Sequence, residues 1–124
     1  MDFKKLIAYQ KAFQLAMEIF KISKSFPKEE KYSLTDQIRR SSRSTCANLA
    51  EAYRKRIYPK HFITKLTYSD GENSETDVWL DFAKACGYLT ENQYQPLHEK
   101  RIEIGKLINY MISNPSKFGS GLPG

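Results

Sequence analysis

Residues 33–56 read SLTDQIRRSSRSTCANLAEAYRKR. At about 100° per residue, Leu34, Ile38, Ser42, Thr45, Cys46, Leu49, Ala52 and Tyr53 share one arc of a helix. Asp36, Arg39, Arg40, Arg43 and Arg54 share the opposite arc. This segregation predicts an amphipathic helix over 34–56. Ser33 followed by Asp36 reads as a capping box at its start, and Pro59 lies just beyond its end. Its inner side carries unusually small residues, Ser41, Ser42, Thr45, Cys46 and Ala52. Small side chains let a neighbouring helix come close, so the tightest crossing of the fold is expected here.

Working outward, three more helices flank this one. Residues 4–25 place Leu6, Phe13, Met17 and Phe20 at helical spacing, supported by Ala16 and Ile19, with the lysines elsewhere. Phe26-Pro27 ends that segment. Tyr58-Pro59 opens a helix over 59–86, with proline in the first turn. Its centre, SDGENSETD (69–77), is polar and contains Gly71. The helical phase nevertheless runs through it without a proline, and it is predicted helical. The following VWLDFAKAC (78–86) is apolar nearly all round. A monomeric bundle needs only an apolar stripe, so the surplus predicts subunit contacts through Trp79 and Phe82, with Tyr53 as a third candidate. Gly87 reads as a left-handed helix end, and Thr90 with Gln93 as a capping box for a helix over 91–113. Tyr94, Leu97, Ile104, Ile108 and Met111 form its stripe, interrupted at Arg101. Pro115 ends it, and residues 116–124, SKFGSGLPG, are expected to form a flexible tail. The expected architecture is all-α: an antiparallel up-down-up-down four-helix bundle over 1–115 that assembles into a ring.

The 124 residues, 40% hydrophobic and 27% charged, fit one soluble domain. No apolar run approaches the roughly 18 residues of a membrane span, and the N-terminus lacks the pattern of a signal peptide. A cytoplasmic location is expected. Cys46 and Cys86 lie in apolar, helix-patterned surroundings and read as two buried, reduced thiols. There is no CxxC, no Cys/His cluster, no Glu-x-x-His motif and no glycine-rich phosphate loop, and His61 and His98 are isolated. Those absences predict no metal, no cofactor and no catalytic residues, hence no enzyme.

The charge is +6 and uneven. Residues 32–57 carry six basic groups against two acidic ones, and 58–89 three against five. Two readings of the arginines follow. Arg39, Arg40, Arg43, Arg54, Lys55 and Arg56 make a phosphate-contacting face for RNA or DNA. Alternatively, Glu72, Glu75 and Asp77 pair with Arg39, Arg40 and Arg43, leaving a protein-interaction scaffold without nucleic-acid affinity. Arg54-Lys55-Arg56, away from those acids, is the better place to test for binding. Tyr53, Tyr58 and His61 stand near it as candidates for base stacking.

Several stretches taken together carry a family resemblance: Gln37-Ile38-Arg39-Arg40-Ser41-Ser42, Asn48-Leu49-Ala50-Glu51, Asn73-Ser74-Glu75-Thr76, Val78-Trp79-Leu80 and Cys86-Gly87-Tyr88-Leu89. The chain resembles the 23S rRNA intervening sequence proteins over about residues 3–118. Ala52 stands where that family usually has glycine. Those proteins in turn resemble the accessory variability proteins of diversity-generating retroelements, basic homopentamers that bind nucleic acid and a reverse transcriptase. The resemblance implies a bacterial four-helix bundle, a homopentamer, a nucleic-acid role, a possible protein partner such as a reverse transcriptase, and no catalytic residues.

Overall fold

The structure, a computed structural model, describes residues 2–121. Four helices follow in order: α1 (Ile7–Ile22), α2 (Leu34–Arg54), α3 (Pro59–Ala85) and α4 (Glu91–Ser113). They form the expected four-helix bundle, with no strand among the described residues. None of these helices is long and apolar enough to cross a membrane. Ile19, Ile38, Leu49, Phe62, Leu66, Leu80, Ile104 and Ile108 are sealed from solvent along its axis.

The first segment is shorter than 4–25. A 3-10 turn, Phe3–Lys5, precedes it, Leu6 is extended between the two, and a second 3-10 turn, Ser23–Ser25, follows. Its inner face is also rotated from the expected one. Ala8, Ala12, Leu15, Ala16 and Ile19 are buried, whereas Phe13 and Met17 are exposed. The helix has two apolar faces, and the one with small residues fits the crowded interior, leaving the bulky pair outside.

The N-terminus of α2 is held differently from the expected capping box. Ser33 makes no cap with its own side chain. Its hydroxyl instead donates to Glu30 Oε1 at 2.6 Å, and Leu34 N–H reaches the same oxygen at 3.4 Å. Tyr88 OH donates to the other carboxylate oxygen at 2.8 Å, tying the α1–α2 connection to the end of α3. At that end Gly87 has φ +79°, Tyr88 N–H donates to Ala83 O and Gly87 N–H to Lys84 O, a Schellman ending. The Thr90–Gln93 capping box opens α4 as expected.

The polar centre of α3 is helical because its polar groups are paired inside the bundle. Ser69, Asn73 and Thr76 recur at helical spacing and are at most 1% exposed. Ser69 Oγ donates to Thr45 O at 2.7 Å, Thr76 and Ser41 hydroxyls meet at 2.8 Å, and Asn73 Nδ2 donates to Arg101 O at 3.0 Å. Buried polar atoms are costly only when unpaired, so this layer fixes register without weakening the core. The small residues of α2 lie against it, and α2–α3 is the most extensive helix contact of the bundle.

Arg101 fills the gap in the α4 stripe. Its guanidinium donates to Asp77 Oδ2 at 3.0 Å, and His98 Nδ1 meets Asp77 Oδ1 at 2.8 Å. Tyr94 stacks on His98 and donates to Asp81 at 2.6 Å, and that bond raises the Tyr94 phenol above its ordinary pKa.

The expected flexible tail is folded as far as the structure describes it. Pro115–Phe118 forms a 3-10 turn, Phe118 packs on the core, and Ser120 is buried. Gly121 N–H donates to Arg56 O at 3.0 Å. Phe118 anchors this segment, and Gly119, at φ +83°, reverses it so closely over Arg56 that a Cβ there would lie 3.4 Å from Arg56 Cδ. Residues 122–124 of the expected tail lie outside the described residues.

Candidate nucleic-acid interface

The six basic residues singled out in the sequence do not form one stripe. Arg40 and Arg54 are fourteen residues apart on α2, roughly 21 Å along the helix axis. The group nearer the start of α2 is engaged within the chain. Arg40 is bound by Glu72 at 2.9 Å and Glu75 at 2.6 Å, with Gln37 accepting from its Nε. Arg39 Nε donates to buried Ser23 Oγ at 2.8 Å, and its guanidinium lies over the Phe20 ring. Arg43 is exposed, with its guanidinium carbon 5.6 Å from the centroid of the same ring. Asp77 pairs with Arg101 and His98 rather than with this group. Intramolecular pairing therefore accounts for Arg40, the Ser23 bond and packing on Phe20 hold Arg39, and Arg43 stays exposed beside the same ring.

The second group stands elsewhere, at the end of the bundle where α1 and α3 begin and α2 and α4 finish. Arg54 and Lys55 are exposed there, and no ion pair engages them among the described residues. Arg56 is half-buried, donates to Tyr53 O at 2.9 Å and lies 4.3 Å from the Tyr53 ring centroid. The antiparallel topology brings further lysines to the same end. Lys4 lines a surface depression with Arg54, Arg56, Asp2 and Phe3. Lys5 follows it and lies beside Tyr110 and Phe118. Lys60 occupies the first turn of α3, and Lys117 rides on the folded C-terminal turn, donating to Tyr110 OH at 2.9 Å. Lys4, Lys5, Lys60 and Lys117 are all exposed. The opposing acids are few. Glu51 is held by Lys65 at 3.2 Å, and Asp2 accepts from Lys4 N–H.

Sequence reasoning placed Lys4 and Lys5 on a solvated helix face and gave Lys60 and Lys117 no role. Beyond the Arg54-Lys55-Arg56 run, each segment contributes only one or two cations, so these lysines do not stand out in the sequence. The signal was available in the topology: in an up-down bundle, the starts of odd helices meet the ends of even ones.

The three residues expected at subunit contacts separate. Tyr53 is 6% exposed and belongs to the chain's own core, so it is not a free surface group. It continues the inner arc of Leu49 and Ala52, and Arg56 covers its ring. Trp79 is partly buried and donates from its indole N–H to Glu75 at 3.2 Å. Phe82 is 53% exposed beside it, ring centroids 5.9 Å apart, and Val78 is exposed on the same helix. With Leu34, Gln37 and Cys86, Trp79 and Phe82 line a groove between α2 and α3. Exposed Phe13 and Met17 line a second apolar groove between α1 and α2, floored by Ala47 and Ala50. The cysteines also differ from each other. Cys46 is buried, and desolvation pushes its thiol up to about 11, whereas Cys86 is exposed at the end of α3, contrary to the reading of both as buried. Cys86 is the C-cap residue of α3, and its thiol stays outside the packed interior while Leu89 of the following turn is buried.

The family model for the 23S rRNA-intervening sequence protein matches residues 4–110. No curated protein matches the chain. The crystal structure of a protein with unknown function from the S23 ribosomal protein family of Bacteroides thetaiotaomicron VPI-5482 is similar, with a TM-score of 0.79 and 30% identity. The match covers 86% of this chain and 96% of that one. A family match that begins just before α1 and runs through most of α4, on a bundle of the same fold, places this chain in the 23S rRNA-intervening sequence protein family.

Proposed function

We propose that this protein is a non-catalytic nucleic-acid-binding protein, and that its contact surface is the basic end of the bundle. One observation carries the reading. Lys4, Lys5, Arg54, Lys55, Arg56, Lys60 and Lys117 converge there from four separate segments, and no ion pair engages them among the described residues. A polyanion releases counterions when it meets such a cluster, and this supplies sequence-independent affinity. Arg39 and Arg40 lie outside the surface because the chain uses them itself, and exposed Arg43 stands roughly 16 Å along the α2 axis from Arg54.

The proposal includes self-assembly. Two apolar grooves, at Trp79/Phe82 and at Phe13/Met17, lie on adjoining sides of the bundle, both bordered by α2. Unlike patches that meet head to tail build a ring when the rotation closes, and the family resemblance suggests five copies. Contacts through the sides leave the basic end open.

The test is fluorescence anisotropy of a labelled 20-nucleotide RNA titrated with the protein between 50 and 200 mM salt. Three to five phosphate contacts on a single strand give a log–log slope of about −2 to −3.5. Absence of binding at 50 mM salt would favour the scaffold reading, in which only the apolar grooves act.

A further inference from the structure

We infer that the nucleic acid is single-stranded where it meets the basic end, and that Tyr58 is the platform for an unpaired base. The inference rests on the reading of that end as the nucleic-acid surface. Tyr58 is 55% exposed and stands in the connection between α2 and α3, with Lys55 and Arg56 before it and Lys60 two residues after it.

Its backbone is held on both sides. Tyr58 N–H donates to Lys55 O at 2.9 Å, and Tyr58 O accepts from Phe62 N–H at 3.0 Å as the first residue of the α3 cap. His61 meets the ring edge-to-face, 5.9 Å between centroids and 75° between planes. The phenol is thus an exposed ring on an ordered stalk, steadied from one direction.

A single exposed tyrosine carries no message by itself. The setting distinguishes this one from the chain's other connection tyrosines. Tyr88 is half-buried and bonded to Glu30. Tyr32 is 85% exposed, but it stands at the opposite end, Lys31 Nζ lies over its ring at 5.3 Å, and Glu29, Glu30 and Asp36 offset the lysines beside it. Tyr58 joins an open ring face to the cations of the basic end, unpaired among the described residues, where Lys55, Arg56 and Lys60 flank it in the chain. A duplex hides its base faces in the stack, whereas a single strand offers them, and cations along the backbone plus an aromatic face are the elements of single-strand binding.

The experiment compares one labelled oligonucleotide as a single strand and as a duplex with its complement, by anisotropy at fixed low salt. The wild-type protein binds the single strand more tightly. Tyr58→Ala weakens single-strand binding about 5- to 100-fold and leaves duplex binding unchanged. Tyr58→Trp restores the single-strand affinity, and Tyr32→Ala matches wild type. Equal wild-type affinity for both forms, or a Tyr58→Ala variant that binds the single strand like wild type, overturns this inference while the basic end stands. Failure of the wild-type protein to bind either form overturns the reading of the basic end and this inference with it.

Discussion

Arg56 caps the ring of Tyr53: its guanidinium carbon lies 4.3 Å from the ring centroid while its Nη1 donates to the Tyr53 carbonyl at 2.9 Å. One residue closes the core at the end of α2 and the other presents charge above it. Tyr53→Ala should therefore cost about 3–5 kcal/mol in urea denaturation, as removal of a buried aromatic does. Tyr53→Phe, which keeps the ring, should stay near wild type.

Asp77 and Arg101 form the polar tie between α3 and α4, each side chain about a fifth exposed. Removing the acid strands a largely covered guanidinium. Asp77→Ala should cost about 2–3 kcal/mol, toward the lower side of broken buried pairs because some solvent reaches it. Arg101→Met should cost less, since Asp77 keeps His98. In the double variant the two losses should fall short of additive, which a double-mutant cycle in urea would measure.

Glu30 and Tyr88 link stability to pH at both extremes. Hydrogen bonds from Ser33 and then Tyr88 hold the Glu30 carboxyl below its ordinary 4.5, and the same Glu30 bond pushes the Tyr88 phenol up to about 12. A lowered carboxyl contributes stability above pH 4.5 that is lost as pH falls through its folded value. A raised phenol contributes stability below pH 10 that is lost as pH rises toward about 12. The stability gap between wild type and Tyr88→Phe should be level near neutrality and close at both limits. Parallel curves across the whole range would show that this bond does not couple to folding.

Phe82 and Val78 are about half exposed on α3, Phe82 beside the Trp79 ring. If they form part of a subunit contact, Phe82→Asp should shift the mass measured by light scattering toward the 14.4 kDa monomer while the helical circular dichroism stays intact. Wild-type protein that is already monomeric at high concentration would remove the ring from the proposal.

The helices were legible because their apolar residues recur with the helical period, and even the polar SDGENSETD stretch declared itself by keeping phase. What periodicity does not encode is which of two apolar faces turns inward. That is why Phe13 and Met17 looked like core while Ala8 and Ala12 took the space. Local cap patterns misled at Ser33 because a carboxylate three residues earlier, Glu30, competes for its hydroxyl. The basic end was half visible. Arg54-Lys55-Arg56 stood out as a run, whereas the Lys4-Lys5 pair, Lys60 and Lys117 are far apart in sequence and gather only when the helices fold back on one another.

Paired substitutions on α2 separate the cations that meet nucleic acid from those the chain uses itself. RNA affinity is measured against salt for Arg54→Glu/Lys55→Glu and for Arg40→Ala. The account predicts at least about a tenfold loss for the double reversal, with the salt slope flattened by about 1.4, and affinity within about twofold of wild type for Arg40→Ala, because Arg40 is already held by Glu72 and Glu75. Wild-type affinity in the double reversal, or a larger loss in Arg40→Ala, would contradict it.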